Sequence, residues 1–167
     1  MCIRDRDFTN VNLPDAIVDT AGNGDYTTIQ DAIDNATAGN TIRVWAGTYN
    51  ETISISKTLT LVGNGTTTII NGSGSSTMVS ISADWANFSS FRIQNGWYIA
   101  VYISGDHNTI KNNHIVDTDD GDGIYLNGCS YNTIIGNNIT SNDDEGIDFG
   151  SYSTFNTITG NHITHNN

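Results

Sequence analysis

The chain has 167 residues, one domain's worth, and carries a formal charge of −12 from 18 acidic and 6 basic side chains. The few Lys and Arg are scattered and make no basic stripe, which excludes nucleic acid as a partner. No run approaches the ~18 apolar residues of a membrane span, so the chain is not membrane-spanning, and Cys2 and Cys129 stand in unrelated contexts that give neither a disulfide framework nor a zinc site.

Charged residues make up only 14% of the chain. Asn, Thr, Ser, Gly and Ile take their place, poor material for helices but well suited to short strands and tight turns. Residues 1–21 read as a lead-in. Within it, 1–6 (MCIRDR) match nothing that follows and look like a translated sequencing-adapter artefact, so the lack of an apolar secretory leader carries no weight. Residues 22–167 form a single domain. In Tyr26–Ala36 (YTTIQDAIDNA), Ile29, Ala32, Ile33 and Ala36 fall at helical spacing, with Thr27 or Thr28 as N-cap and Asp31 in the first turn. This predicted helix stands directly ahead of strands, where it can cover an exposed first edge. The runs TIRVWAGTY, TISIS, LTLVG and TTIIN then alternate as short strands between turn residues.

From there the chain repeats. HNTIKNNHI, YNTIIGNNI and FNTITGNHI begin at His107, Tyr131 and Phe155, 24 residues apart. So short a period, written in strand-type residues, predicts a stacked solenoid. Val79/Ile81, Val101/Ile103, Ile124/Leu126 and Ile147/Phe149 share one strand position. Ile110, Ile134 and Ile158 share a second, and Ile115, Ile139 and Ile163 a third, with Phe88 and Ile93 one coil earlier. Each strand then pairs in parallel with its counterpart ~4.8 Å away, and alternation sends these residues inward. Asn108, Asn132 and Asn156, like Asn113, Asn137 and Asn161, lie two residues before an inward Ile. They are expected to form buried, mutually hydrogen-bonded columns with a structural role. The chain stops inside a repeat, so the C-terminal end is expected to be uncapped and the domain incomplete there.

The phrases GNGDYTTIQDAIDNA, TIRVWAGTYNETISISKTLTLVGNG and TTIING resemble the N-terminal cap and first coils of the pectin-lyase-like β-helix superfamily. The later NTIxxNxI…GIYL pattern resembles its β-helix repeat, found in carbohydrate-binding and sugar-hydrolysis modules and in the NosD-like periplasmic copper-binding family. The resemblance covers roughly residues 22–167. It implies an all-β, right-handed parallel β-helix with one N-terminal capping helix, and a secreted, cell-surface or periplasmic location. It does not by itself assign chemistry. Pectin methylesterases use an Asp pair, an Arg and Gln side chains from later coils. Here Gln30 lies in the cap helix, Gln94 lacks the flanking pattern, and Asp148–Gly150 (DFG) matches only part of their nucleophile region. Pectate lyases need a base beside calcium, and after Arg92 the only Lys or Arg is Lys111, on a different strand from the acids. Neither activity carries over. Copper needs soft donors, yet Met78 and Cys129 are the only internal ones, and His114 and His162 are expected two coils and ~9.6 Å apart.

One constellation can do chemistry. Asp117, Asp119, Asp120 and Asp122 crowd one turn, and Asp143, Asp144 and Glu145 the next, with 119/143 and 120/144 at the repeat spacing. Like charges so close destabilise one another's ionised forms. Either a shared hard cation, with calcium on Asp119, Asp120, Asp122, Asp143 and Asp144, or a retained proton relieves this. Solvated acidic turns are the bland alternative. Beside them Tyr102, Tyr125 and Asp148 fall in column on an outer face, and Trp97 and Tyr98 occupy the preceding turn, the mixture of rings and acids a sugar-binding groove uses. The expectation is a monomeric module that interacts with carbohydrate, non-catalytic, with calcium as the one cofactor considered. The alternatives are a polysaccharide hydrolase or lyase with Asp120 and Asp144 as the acid/base pair, a structural stalk or adhesin, and a NosD-like copper-binding accessory protein.

Overall fold

A computed structural model describes residues 13–167; the adapter-like stretch 1–6 and Cys2 lie outside the described residues. The fold is the expected parallel β-solenoid of about six turns. One seven-stranded sheet runs in the order β1 (Ala16–Val18), β2 (Thr41–Val44), β5 (Thr60–Val62), β7 (Asn87–Ser89), β9 (Thr109–Lys111), β12 (Thr133–Ile135) and β15 (Thr157–Thr159). Every pair in it is parallel, and the register stacks Ile42, Leu61, Phe88, Ile110, Ile134 and Ile158 in one inward column. β1 comes from the segment that the sequence pattern left as lead-in, a strand too short to show a period.

The second sheet has two limbs. The first is β3 (Gly47–Tyr49), the start of β6 (Thr68–Ile81), the start of β8 (Arg92–Ile103), β10 (His114–Thr118), β13 (Asn138–Asn142) and β16 (His162–Thr164). The other is β4 (Ile53–Ile55), the ends of β6 and β8, β11 (Asp122–Leu126) and β14 (Ile147–Phe149). Sequence alternation predicts TTIIN and the run around Val79 as separate strands, but β6 is continuous through the corner, with register shifts between Asn71 and Thr77. Met78 fills this corner and is fully buried. A Cβ on Gly72 would lie 2.6 Å from its side chain and 2.9 Å from the backbone carbonyl of Asn95, so this position needs glycine.

The predicted helix is α1 (Ile29–Asn35), capped by Thr28, whose Oγ1 accepts from Asp31 N–H. It buries Ile29, Ala32 and Ile33 over the first coils. Seven residues make no stable helix alone, and the next coil holds it at both ends. Glu51 accepts from Ile29 N–H and Gln30 N–H at 2.8 and 2.9 Å, while Lys57 Nζ donates to the carbonyls of Ile33, Asp34 and Ala36. Each charge also opposes the nearer end of the helix dipole.

The Asn columns form as expected. Asn108 N–H donates to Asn132 Oδ1 at 2.7 Å and Asn132 N–H to Asn156 Oδ1 at 2.8 Å; Asn113, Asn137 and Asn161 repeat the arrangement. The Nδ2 groups of Asn137 and Asn161 donate to the carbonyls of Ile110 and Ile134. A third column, unforeseen, joins Asn142 to Asn166 at 3.0 Å.

Candidate functional site

The acidic turn is built by one missing residue. Thr118 and Asn142 are in register, and so are Ile124 and Ile147. Five residues separate the first pair of ends (Thr118, Ile124) and four the second (Asn142, Ile147), so the 24-residue offset becomes 23 inside the turn. Asp144 N–H therefore bonds Gly121 O, and Gly123 N–H bonds Glu145 O at 3.0 Å. The slip brings Asp122, Asp144 and Glu145 together, each offering a carboxylate oxygen within 4.8 Å of the others. Asp120 does not join this group; with Asp119 and Asp143 it is exposed on the same turns. Glu145, which the strict repeat had left unassigned, takes its place. The cue was available as a difference in turn length. The turn is tight: a Cβ on Gly121 would sit 1.7 Å from Tyr98 O.

Asp122 opens β11 half-buried, and its Oδ1 is shielded from solvent without a hydrogen-bond partner among the described residues. Burial, reinforced by the charges of Asp148, Glu145 and Asp144, pushes its carboxyl up to about 7. The group can therefore retain a proton near neutral pH or share a cation. One carboxylate oxygen of each can thus reach a shared cation.

The rings fall beside it. Tyr102 pairs in register with Tyr125, and Tyr125 with Asp148. The two rings lie 5.9 Å apart, tilted by 39°, and Asn127 Nδ2 donates to Tyr102 Oη at 3.1 Å. Trp97 and Tyr98 are 53% exposed on the turn one coil earlier, where Asp120 N–H bonds Trp97 O. Sequence reasoning missed a second aromatic feature. Trp85, His107, Tyr131 and Phe155 stack along one corner with centroid spacings of 4.1, 5.0 and 5.2 Å and planes within 10°. Their faces cover one another, so this stack presents ring edges along its length and stiffens the corner. An aromatic residue directly before the inward position of four successive turns was its signal.

Soft donors do not converge. Met78 is sealed in the corner, and Cys129 is buried, its Sγ donating to Ile103 O and its thiol pushed up by burial. His107 is held in the ring stack. His114 faces Arg92 at 3.2 Å, with burial and that guanidinium both lowering its pKa. The register places His114 two coils from His162. Among the described residues the His, Cys, Asp and Glu side chains form one converging group of three, and it is all carboxylate.

The family of periplasmic copper-binding proteins (NosD) matches residues 8–167. No curated protein matches. Among solved structures, an alginate lyase from Paenibacillus sp. aligns with a TM-score of 0.70 at 20% identity, covering 81% of this chain and 55% of that one. A pectin methylesterase in complex with a hexasaccharide aligns with 0.61 at 20% identity, covering 78% and 56%. The carrot pectin methylesterase aligns with 0.59 at 18% identity, covering 85% and 55%. The chain thus spans about half the length of these structures, and the likeness at such identity is one of fold.

Proposed function

The chain belongs to the NosD family of periplasmic copper-binding proteins, and from that premise and the geometry of the acidic turn we propose that it is a periplasmic or extracellular module that binds polysaccharide without cleaving it. The observation that carries this reading is the register of Tyr102, Tyr125 and Asp148 on one outer face beside the converging carboxylates. Tyrosine rings accept the C–H faces of pyranoses, and carboxylates accept their hydroxyls. Trp97 and Tyr98 are exposed on β8, the strand that carries Tyr102. The described residues do not fit copper: Met78 and Cys129 are buried, and no His or Cys joins the one converging group of three. An all-oxygen group suits a hard divalent cation instead, and calcium on Asp122, Asp144 and Glu145 is part of the proposal. No helix among the described residues is long and apolar enough to cross a membrane.

Affinity electrophoresis through gels containing alginate, pectin or a neutral glucan tests the binding. Retardation by one polysaccharide is expected, reduced about tenfold in affinity by Tyr102→Ala or Tyr125→Ala, roughly the ~1.4 kcal/mol of one lost stacking contact. Release of reducing ends or unsaturated sugars would reject the non-catalytic reading. Calorimetric titration with calcium checks the cation: saturable binding should vanish in Asp122→Asn/Glu145→Gln, and silence of the wild type at millimolar calcium removes calcium from the proposal.

A further inference from the structure

A second site of different chemistry lies among the first coils. The C-terminal ends of β1, β2 and β5, neighbours in the seven-stranded sheet, frame a groove of about 340 Å³ lined by Asp19, Arg43, Val44, Trp45, Ala46 and Asn64. Asp19, Trp45 and Asn64 occupy the same place in three successive coils, because Val18 pairs with Val44 and Arg43 with Val62. Each coil contributes one side chain to a column: a carboxylate, an indole and an amide.

Their states differ in a way that suggests a ligand. Asp19 is buried and already committed, accepting from Ala21 N–H and Asn23 Nδ2 at 2.9 Å each. Those bonds hold its carboxyl below the usual carboxylate range. Trp45 is 42% exposed, yet its backbone is fixed. Its N–H donates to Val18 O at 2.9 Å, and its carbonyl accepts from Tyr49 Oη at 3.1 Å and Thr68 Oγ1 at 3.3 Å. Arg43 is exposed and its guanidinium makes no ion pair or hydrogen bond among the described residues, although Asp19 lines the same groove. The Asn64 side-chain amide is exposed and likewise unpaired among the described residues. In a chain of net charge −12, an unused guanidinium thus lines the same groove as an exposed indole.

We infer that this groove binds a uronic acid unit of an acidic glycan, the sugar face lying on Trp45, its carboxylate on Arg43 and its hydroxyls on the Asn64 side-chain amide. Guanidinium and carboxylate match as two parallel N–H···O bonds. The exposed Trp45 indole offers ring area to the sugar face. The volume stands at the small end of the ~300–1,000 Å³ of ligand sites, enough for a terminal unit. A neutral sugar would leave Arg43 unused, and a free inorganic anion would leave Trp45 unused. This inference does not rest on the reading of the acidic turn, which lies on the other sheet.

Heteronuclear NMR on the full chain tests it, following the Trp45 indole N–H during titration with trigalacturonate and, separately, with maltotriose. The expected result is a saturable shift of that signal with trigalacturonate, weakened about tenfold or more in Arg43→Gln and intact in Tyr125→Ala; in Trp45→Leu, which has no indole, the Asn64 side-chain amide signals should report the same loss of affinity. Maltotriose should leave the signal in place, and unchanged thermal unfolding of both groove variants should confirm their fold. An unmoved Trp45 signal at millimolar trigalacturonate, equal response to the neutral sugar, or wild-type affinity in Arg43→Gln would each overturn the assignment. Loss in Tyr125→Ala alone would overturn it as well, and would place the sugar on the other sheet.

Discussion

At neutral pH the Asp122 carboxyl sits near the middle of its titration, because burial and three neighbouring acids disfavour its charge. The sign of the consequence follows from linkage. The folded state holds this proton up to about pH 7, whereas the unfolded chain releases it near the ordinary aspartate value of 3.8. Between those limits the folded state binds more protons, so stability falls as pH rises through the window. With a chelator present to remove cations, Asp122→Asn should gain about 1–2 kcal/mol over wild type at pH 8, after discounting for solvent on the open side of the turn. It should lose its advantage near pH 4. Urea titrations at the two pH values check this, and a wild type that grows more stable from pH 5 to 8 relative to the variant would show that Asp122 is not the strained acid. The aromatic corner is also a residue-scale matter. Trp85, His107, Tyr131 and Phe155 all adopt left-handed backbone, with φ of 60, 59, 61 and 56°. That conformation costs roughly 1–2 kcal/mol per non-glycine residue, and ring stacking of about 0.5–1.5 kcal/mol per pair offsets it.

At the scale of elements, the cap helix depends on its neighbours more than on its own sequence. Lys57 closes three carbonyls at the C-terminus of α1 and Glu51 two N–H groups at its start. Lys57→Met should therefore cost about 1–2 kcal/mol, seen as a lower urea midpoint. An unchanged midpoint would mean that burial of Ile29 and Ile33 alone holds the helix. The helix was legible beforehand from the spacing of Ile29, Ala32 and Ile33, as were the inward columns from Ile110, Ile134 and Ile158. Glu51 and Lys57 were not, because their partners are backbone groups 21 to 24 residues away and leave no periodic trace. The acidic turn shows the same limit. Its residue types were visible, but its membership depended on a one-residue contraction between Asn142 and Ile147. Arg43, Trp45 and Asn64 escaped notice because the early coils differ in length and offer no repeat from which to read a column.

The whole molecule behaves as a stack, each coil bonded to the one before and the one after, so stability should be local rather than shared. The Asn columns offer a direct probe. Asn137 accepts from Asn113 N–H and Nδ2, donates to Ile110 O, and passes its own N–H to Asn161. Asn137→Ala leaves Asn113 N–H buried without its acceptor, while Asn113 Nδ2 keeps its bond to Phe88 O, a loss of about 1–3 kcal/mol. In a globular domain with one core, such a loss would lower protection at every slowly exchanging amide. In a one-dimensional array it should act on the adjacent coils and fade with distance. Hydrogen exchange of Asn137→Ala should thus rise in β9, β10, β12 and β13, while β1, β2 and α1 keep wild-type protection. Equal acceleration across α1 and β12 would instead show that the coils unfold as one cooperative unit, and that coupling through the shared interior outweighs the ladder between neighbours.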